Sequence, residues 1–507
     1  MRMPSSLSPQ AWLLAIGSSL RVFFFLFSAG NGGDAFARAA ITAQWLQHPS
    51  FSLDFGGPNW PPLHFWLMAL VAQIVPNVLL ACRLLSLIAG LVSLWLFWKL
   101  THRLYGEAAA ILSLVIFVFY SLHIAYATTS SSEETFVAFI LAGLLGIFSF
   151  RASGNYGYLI LGGLSLTAAA AIRYEAWILI FGLGLLFLLG QETRRFPTGD
   201  YWKALLAFGI SSGIWPVFWA IRSWARTGNP FFSLSLNRTL VPGQLALFPE
   251  HGMFYELALT PGVILLTLTP IAVAGALYGL WLSFRERKCL DFSFLVIFFG
   301  MFQMTSIATH GFVVKARFTL LLGTFCAVLA GYGLEELVRL SRLRREVFLA
   351  ILALVMTVNL VAIVGISQRA SRLGDKFRQI SPLMQFSGYM EGVAKSLDQR
   401  MRPGDHLVID NFNDEANLLA AAIGLPLLVG DRAFMSDSQP EADLLPFINS
   451  YHPRFAILSG RGTIGSNLQL PPRCSESWVF QGMDLRCVYE NEIYRVYELN
   501  YRQLPIR

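Results

Sequence analysis

Four short stretches set ionisable side chains against long apolar runs. The first, GDAFARAAITAQWL at 33–46, carries Asp34 and, one turn later, Arg38. AYATTSSSEETFVAF at 125–139 carries Glu133 and Glu134, AIRYEAW at 171–177 carries Arg173 and Glu175, and THGFVVKARF at 309–318 carries Lys315 and Arg317. Carboxylates so placed could accept protons, and the cations could hold an anion. Each also has a plainer reading. An Asp following glycines often caps the free N–H groups of a helix start. The other charges could be solvated in loops or locally paired, and that is the reading for Glu134 and Arg238. At membrane depth an ionisable group costs ~2.5–3.5 kcal/mol on insertion scales, so it usually pairs or serves a site. The four stretches therefore matter only if the surrounding elements bring them to one face.

Those elements are apolar. The 507 residues are 55% hydrophobic and 14% charged, against roughly 25% charged in typical soluble domains. The composition points to a polytopic α-helical membrane protein. A bilayer span needs ~20 mostly apolar residues. Such runs fall near 11–29, 84–100, 108–126, 135–150, 157–172, 176–190, 204–221, 260–283, 292–308, 318–335 and 347–366, which predicts about eleven spans. LHFWLMALVAQIV at 63–75 is shorter, follows Pro61-Pro62, and reads as an interfacial or re-entrant helix. Arg21 inside the first run, with no small-residue cleavage site after it, argues against a removed signal peptide. The net charge of +7 reflects loop cations that set topology, not nucleic-acid binding.

With the N-terminus in the cytoplasm the inner loops hold the larger share of Lys and Arg, helped by RLSRLRRE at 339–346. Counting 63–75 as a span would put that cluster outside. Parity then places Asp34, Glu133, Arg173, Glu175, Lys315 and Arg317 together on the outer face. Arg38, Arg83, Arg173, Arg222, Arg226, Arg238, Lys315 and Arg317 lie on that side against the charge rule and need a reason of their own.

Residues 1–366 thus form a transmembrane module, and after about 367 the texture changes. HLVIDNF (406–412) and FAILSG (455–460) read as short buried strands, DEANLLAAAI (414–423) as a helix, and SWVFQGMDLRCVYENEIYRVYEL as alternating strands. Residues 367–507 are expected to form an α/β domain, outside because eleven spans is odd. Cys474 and Cys487 fall in it. A bridge and two free thiols are equally compatible with the sequence. No CxxC or Cys/His cluster suggests zinc.

The order of these features resembles the GT-C superfamily of membrane glycosyltransferases, which includes protein O-mannosyltransferases and the lipid A aminoarabinose transferase. The residues that carry the resemblance are GDAFARAAITAQWL (33–46), WPPLHFWL (60–67), CRLLSLIAGL (82–91) and AYATTSSSEETFVAF (125–139). It covers roughly residues 10 to 335. Close bacterial relatives often show Pro-Asp where this chain has Ser132-Glu133, and RYE stands where the aminoarabinose branch has Lys-Gly-Pro. The resemblance implies inverting transfer of a hexosyl or pentosyl group from a polyprenyl-phosphate-linked donor on the non-cytoplasmic face, in a bacterial-type inner membrane. The acceptor could be a lipid, a polysaccharide or a protein. Asp34 takes the place of the family's first-loop acid, its presumed catalytic base, and Glu133 best matches its second acid. Glu133 would share in acceptor positioning or help to bind a metal. The residue types suit the task. A carboxylate within hydrogen-bond reach can take a hydroxyl's proton. A phosphate leaving group needs cations, and Arg is suited to bidentate phosphate contacts. Arg173, Lys315 and Arg317 are the candidates, with Glu175 and Arg38 beside them. No cofactor is assigned. A divalent metal would fit the chemistry, but no ligand cluster is legible. The rival reading is a multi-span transporter or lipid flippase that uses the same charges as a pathway. A repeat or matched broken spans would favour it, and the sequence displays neither.

Overall fold

Helix follows helix through the first three quarters of the chain. The computed structural model describes residues 8–28, 33–47, 49, 53, 60–189, 198–236, 238, 253–309, 311, 315–341, 344–373, 389–402, 404–410, 433–435, 443–459, 474, 478–480, 483–491 and 494–501. The helices are α1 (Pro9–Phe27), α2 (Gly33–Gln47), α3 (Leu63–Ala72), α4 (Val78–Tyr105), α5 (Glu107–Val118), α6 (Ser121–Tyr126), α7 (Glu133–Ser153), α8 (Tyr156–Ala170), α9 (Glu175–Leu189), α10 (Thr198–Thr227), α11 (Met253–Leu268), α12 (Pro270–Arg285), α13 (Leu290–Ala308), α14 (Leu320–Ser341), α15 (Arg345–Leu373), α16 (Tyr389–Asp398) and α17 (Leu444–Tyr451). A 3-10 turn, Ala316–Thr319, leads into α14.

Among the described residues the eleven apolar runs are helical, while the count of full-length spans is smaller than eleven. Among the described residues seven helices are long and apolar enough to cross a membrane, or eight if one bent pair counts as a span. Helices α5, α8 and α9, with 12, 15 and 15 residues, are shorter than the ~20 residues of a typical span and are not among those seven. Helix α3, at 10 residues, is too short to span, as the sequence suggested. The run 260–283, read as one span, is instead the pair α11 and α12, bent by 109°. The cause is local. Pro270 has no N–H to continue α11 and disfavours helical geometry in the residue before it. Thr269 accordingly sits at φ 74°, and its hydroxyl accepts from the Ala272 N–H at 3.5 Å, restarting the helix.

Packing between apolar helices depends on small residues, because lipid tails are as apolar as the side chains. The contact of α12 with α14 illustrates this. A Cβ placed on Gly279 would lie 2.1 Å from the carbonyl oxygen of Leu329, and one on Gly333 would lie 2.1 Å from that of Gly275.

The chain divides into two compact units. The first comprises Met1–Gly30, Ser52–His64 and Arg83–Gln385; the second comprises Asn31–Phe51, Phe65–Cys82 and Phe386–Arg507. In the second, strands β1 (Leu407–Ile409), β2 (Ala433–Met435), β3 (Phe455–Ser459), β4 (Trp478–Phe480), β5 (Met483–Glu490) and β6 (Tyr494–Tyr501) form one sheet in the order β2-β1-β3-β6-β5-β4. β1 is parallel to β2 and β3, and the remaining pairs are antiparallel. Alternation along the strands sends side chains to opposite faces. Leu407, Ile409, Phe455, Ile457 and Val496 pack with Val393 and Leu397 of α16. Val408, Ala456, Leu458, Tyr497 and Leu499 pack with Phe447 and Ile448 of α17. The strands expected in the 406–412, 455–460 and 477–499 stretches are present; the helix expected at 414–423 lies outside the described residues. Cys474 and Cys487, left open by the sequence, are joined in a disulfide with Cα atoms 5.3 Å apart.

Candidate active site

In the first unit, the loops before α7, α9 and α14 bring Glu133, Arg173, Glu175 and Arg317 to the walls of one small cleft, which Phe136, Phe299 and Phe318 line on the apolar side. Glu133 and Glu134 open α7, where the positive end of the helix favours carboxylates. Arg173 sits in the short turn between α8 and α9. Its Nη1 lies 2.6 Å from Glu133 Oε1 and its Nη2 lies 2.5 Å from Glu175 Oε1. Burial opposes the charge on Arg173, but Glu175 and Glu133 outweigh it and hold its pKa above the ordinary arginine value. Arg317, in the 3-10 turn, approaches the same Glu133 oxygen with its Nε at 3.7 Å. That is an ion pair, longer than a hydrogen bond. Phe318 spaces the two guanidiniums, with Arg173 5.5 Å and Arg317 5.0 Å from its ring centre. Two cations and two anions thus share the cleft, and both cations reach toward one carboxylate that is only 3% exposed.

Four of the sequence candidates are thereby brought together. Arg317 lines the cleft, while Lys315, two residues earlier, is partly exposed at the head of the 3-10 turn. Arg38 belongs to the second unit. It is buried, with its guanidinium 5.7 Å from the Phe65 ring centre, and its carbonyl accepts from Thr42 Oγ1 at 2.9 Å. Asp34 lies in the first turn of α2, also in the second unit, and its side chain is outside the described residues. Among the described residues no group of three or more His, Cys, Asp or Glu could hold a metal ion.

Solved structures share this architecture. ArnT from Cupriavidus metallidurans, in the apo state and bound to undecaprenyl phosphate, aligns with TM-score 0.59 and 13% identity over 96% of this chain and 97% of that one. The Archaeoglobus fulgidus oligosaccharyltransferase in its apo form aligns with TM-score 0.54 and 10% identity over 89% of this chain and 69% of that one. The Archaeoglobus fulgidus enzyme AglB, in complex with an inhibitory peptide and a dolichol-phosphate, gives TM-score 0.50 and 12% identity over 89% and 69%. The chain has the fold of the GT-C membrane glycosyltransferases. Within that GT-C fold, residues 59–219 match the family model described as dolichyl-phosphate-mannose-protein mannosyltransferase. The matched stretch includes Glu133, Arg173 and Glu175; Asp34 precedes it and Arg317 follows it. No protein of curated function matches the chain by sequence. The resemblance drawn from the motifs is borne out at the level of the fold.

Two features of the chain escaped the sequence reading. Arg83, counted among the unexplained outer cations, has a structural task. Its Nη2 donates to the carbonyls of Phe25 and Ser28 at 2.7 and 3.0 Å, and its Nε to that of Thr128 at 2.7 Å. It thereby satisfies the open C-terminal end of α1 and the start of the loop after α6. Glu134, read as solvated or locally paired, is fully buried, with its Oε1 2.9 Å from His123 Nε2. Its partner lies in the short helix preceding the loop, so the pairing is local, but no solvent reaches it. A glutamate inside a Ser/Thr-rich loop carries no mark of burial in sequence. The only available signal was the cost of leaving it bare at membrane depth.

Proposed function

We propose that the protein is an inverting glycosyltransferase that moves a sugar from a polyprenyl-phosphate-linked donor to an acceptor hydroxyl on the non-cytoplasmic face of a bacterial-type inner membrane. The observation that carries this reading is the convergence of Arg173 and Arg317 on one buried carboxylate, in a cleft walled by phenylalanines. Two forked cations suit a phosphate, and the aromatic wall suits an isoprenoid chain. That ArnT of the same fold is bound to undecaprenyl phosphate supports a lipid-linked donor.

In this reading Arg317 and Arg173 hold the donor phosphate, with Glu133 balancing their charge while the site is empty and positioning the acceptor when it is filled. Asp34 takes the proton from the acceptor hydroxyl. The oxygen attacks the anomeric carbon, the carbon–oxygen bond to phosphate breaks, and the lipid phosphate leaves with its charge stabilised by the two arginines. No strong general acid is required, because the leaving group is already a stable anion. Residues 1–366 act as the membrane catalytic module and 367–507 as an outer domain. The Cys474–Cys487 bridge supports that orientation, since disulfides persist in oxidising compartments.

The test is incubation of the purified protein with a panel of polyprenyl-phosphate sugars and lipid, glycan and peptide acceptors. The expected result is equimolar appearance of glycosylated acceptor and free polyprenyl phosphate for at least one pair. Failure to bind or turn over any polyprenyl-phosphate sugar would contradict the reading.

A further inference from the structure

Three fully buried side chains of the first unit stand outside the cleft chemistry. Arg21 of α1, His123 of α6 and Glu134 of α7 each have 0% exposure, and they form a line. Arg21 Nε and Nη2 lie 3.1 and 2.7 Å from His123 Nδ1. Arginine can only donate, so Nδ1 must accept. The ring proton is then on Nε2, which faces Glu134 Oε1 at 2.9 Å. The same guanidinium donates from Nη1 to the Gly17 and Val118 carbonyls at 3.0 and 3.3 Å, and from Nη2 to that of Phe117 at 3.2 Å. These last two carbonyls form the C-terminal end of α5, where that of Phe117 also accepts from the Tyr120 N–H at 3.3 Å. Arg21 therefore closes a helix that stops within an apolar core, where unsatisfied carbonyls are costly, and anchors the following short helix through its histidine.

The consequence reaches the cleft through helix geometry. Adjacent residues on an α-helix point about 100° apart. In the first turn of α7, Glu134 is directed at His123 while Glu133 is directed at Arg173. Fixing one fixes the rotation that aims the other. On the neighbouring side, α4 packs against the loop before α7 so closely that a Cβ on Gly90 would lie 2.6 Å from that of Ala127 and 3.6 Å from Glu134 Cγ. We propose that Arg21, His123 and Glu134 are positioning residues, a chain that locks the first turn of α7 and so holds the Glu133 carboxylate in register with Arg173 and Arg317. The proposal rests on the reading that this cleft is the sugar-transfer site.

The test uses the full-length protein in lipid nanodiscs, with kcat, donor KM and amide hydrogen exchange measured for each variant. Glu134→Ala removes the acceptor from His123 Nε2–H. Glu134→Gln keeps an oxygen there without the charge. His123→Phe keeps a ring against Phe117, whose centroid is 4.2 Å away, and removes both nitrogens. A displacement near 1 Å at a reacting group can cost about 10²-fold in rate. Glu134→Ala and His123→Phe should therefore lose about 10²-fold in kcat with little change in donor KM, and Glu134→Gln should recover most of it. Exchange should quicken at residues 133–137 in the two impaired variants. A purely structural role would lower the melting temperature and leave kcat per folded molecule unchanged; that result, or Glu134→Gln as impaired as Glu134→Ala, overturns the proposal. Should Glu134→Ala not fold, His123→Phe decides by the same criterion. Absence of transfer by the wild-type protein would count against the functional reading. In that case unchanged exchange at 133–137 in the variants would still overturn the positioning chain, and quickened exchange there would uphold it.

Discussion

Replacing Arg317 with alanine separates donor binding from stability. Its Nε is 3.7 Å from Glu133 Oε1, too far for a hydrogen bond, whereas Arg173 holds the same oxygen at 2.6 Å. Arg173→Ala is therefore a poor probe. It would take the hydrogen-bonded partner from a carboxylate only 3% exposed, and breaking a buried pair by removing one partner costs about 3–5 kcal/mol. Arg317→Ala leaves that pair intact, so the melting temperature should stay within a few degrees of wild type. What it removes is a charge-assisted contact to the incoming phosphate, which contributes about 1.5–3 kcal/mol. At ~1.4 kcal/mol per decade, the dissociation constant for polyprenyl phosphate should rise about 10- to 150-fold. Arg317→Lys keeps the charge but loses the planar fork, and its stacking over Phe318 at 5.0 Å, so it should fall between. Titration of purified protein with a short-chain polyprenyl phosphate reads this directly. An Arg317→Ala variant that binds within twofold of wild type would refute the assignment of the phosphate to this guanidinium.

The remaining predictions concern stability. Cys474→Ser with Cys487→Ser opens a loop of sequence separation 13; a closed loop of about that size contributes roughly 3 kcal/mol, so the unfolding midpoint of the C-terminal region should fall markedly, as followed by pulse proteolysis, while an unchanged midpoint would deny the bridge. Arg21→Met keeps length but removes the donor to the Val118 carbonyl and His123 Nδ1, and leaves the Phe117 carbonyl with the Tyr120 N–H alone. Yield of folded protein and melting temperature should both fall, by more than for Arg83→Met, because Arg83 is only partly buried whereas Arg21 is fully buried; equal effects would show that depth in the core does not matter here.

Much of the architecture was legible because long apolar runs leave a membrane chain few options. Among the described residues the eleven runs proved helical, and the two-residue alternation in 477–499 marked the strands that prove antiparallel. What composition could not convey was where helices stop within the apolar core. Phe119 and Tyr120 look like continuations of α5, yet the helix ends at Val118 because Arg21, 97 residues away in sequence, is there to take its carbonyl. The bend at Thr269 was legible in principle through Pro270, but an apolar run on both sides of the proline hid it. Of the site, Glu133, Arg173, Glu175 and Arg317 were reached through topology parity, which groups residues by face without fixing distance. Lys315 and Arg317 were indistinguishable on that basis, and only the 3-10 turn separates them, by turning Arg317 toward the cleft.

Turnover of Asp34→Asn, measured beside donor affinity at matched protein levels, tests the acid–base chemistry most directly. Asparagine caps a helix about as well as aspartate but cannot take a proton. If Asp34 deprotonates the acceptor, the variant should fold, bind polyprenyl-phosphate sugar as tightly as wild type, and transfer the sugar about 10²–10⁴-fold more slowly, the usual contribution of a general base. Near wild-type transfer by Asp34→Asn would contradict the mechanism and leave Asp34 as a helix cap.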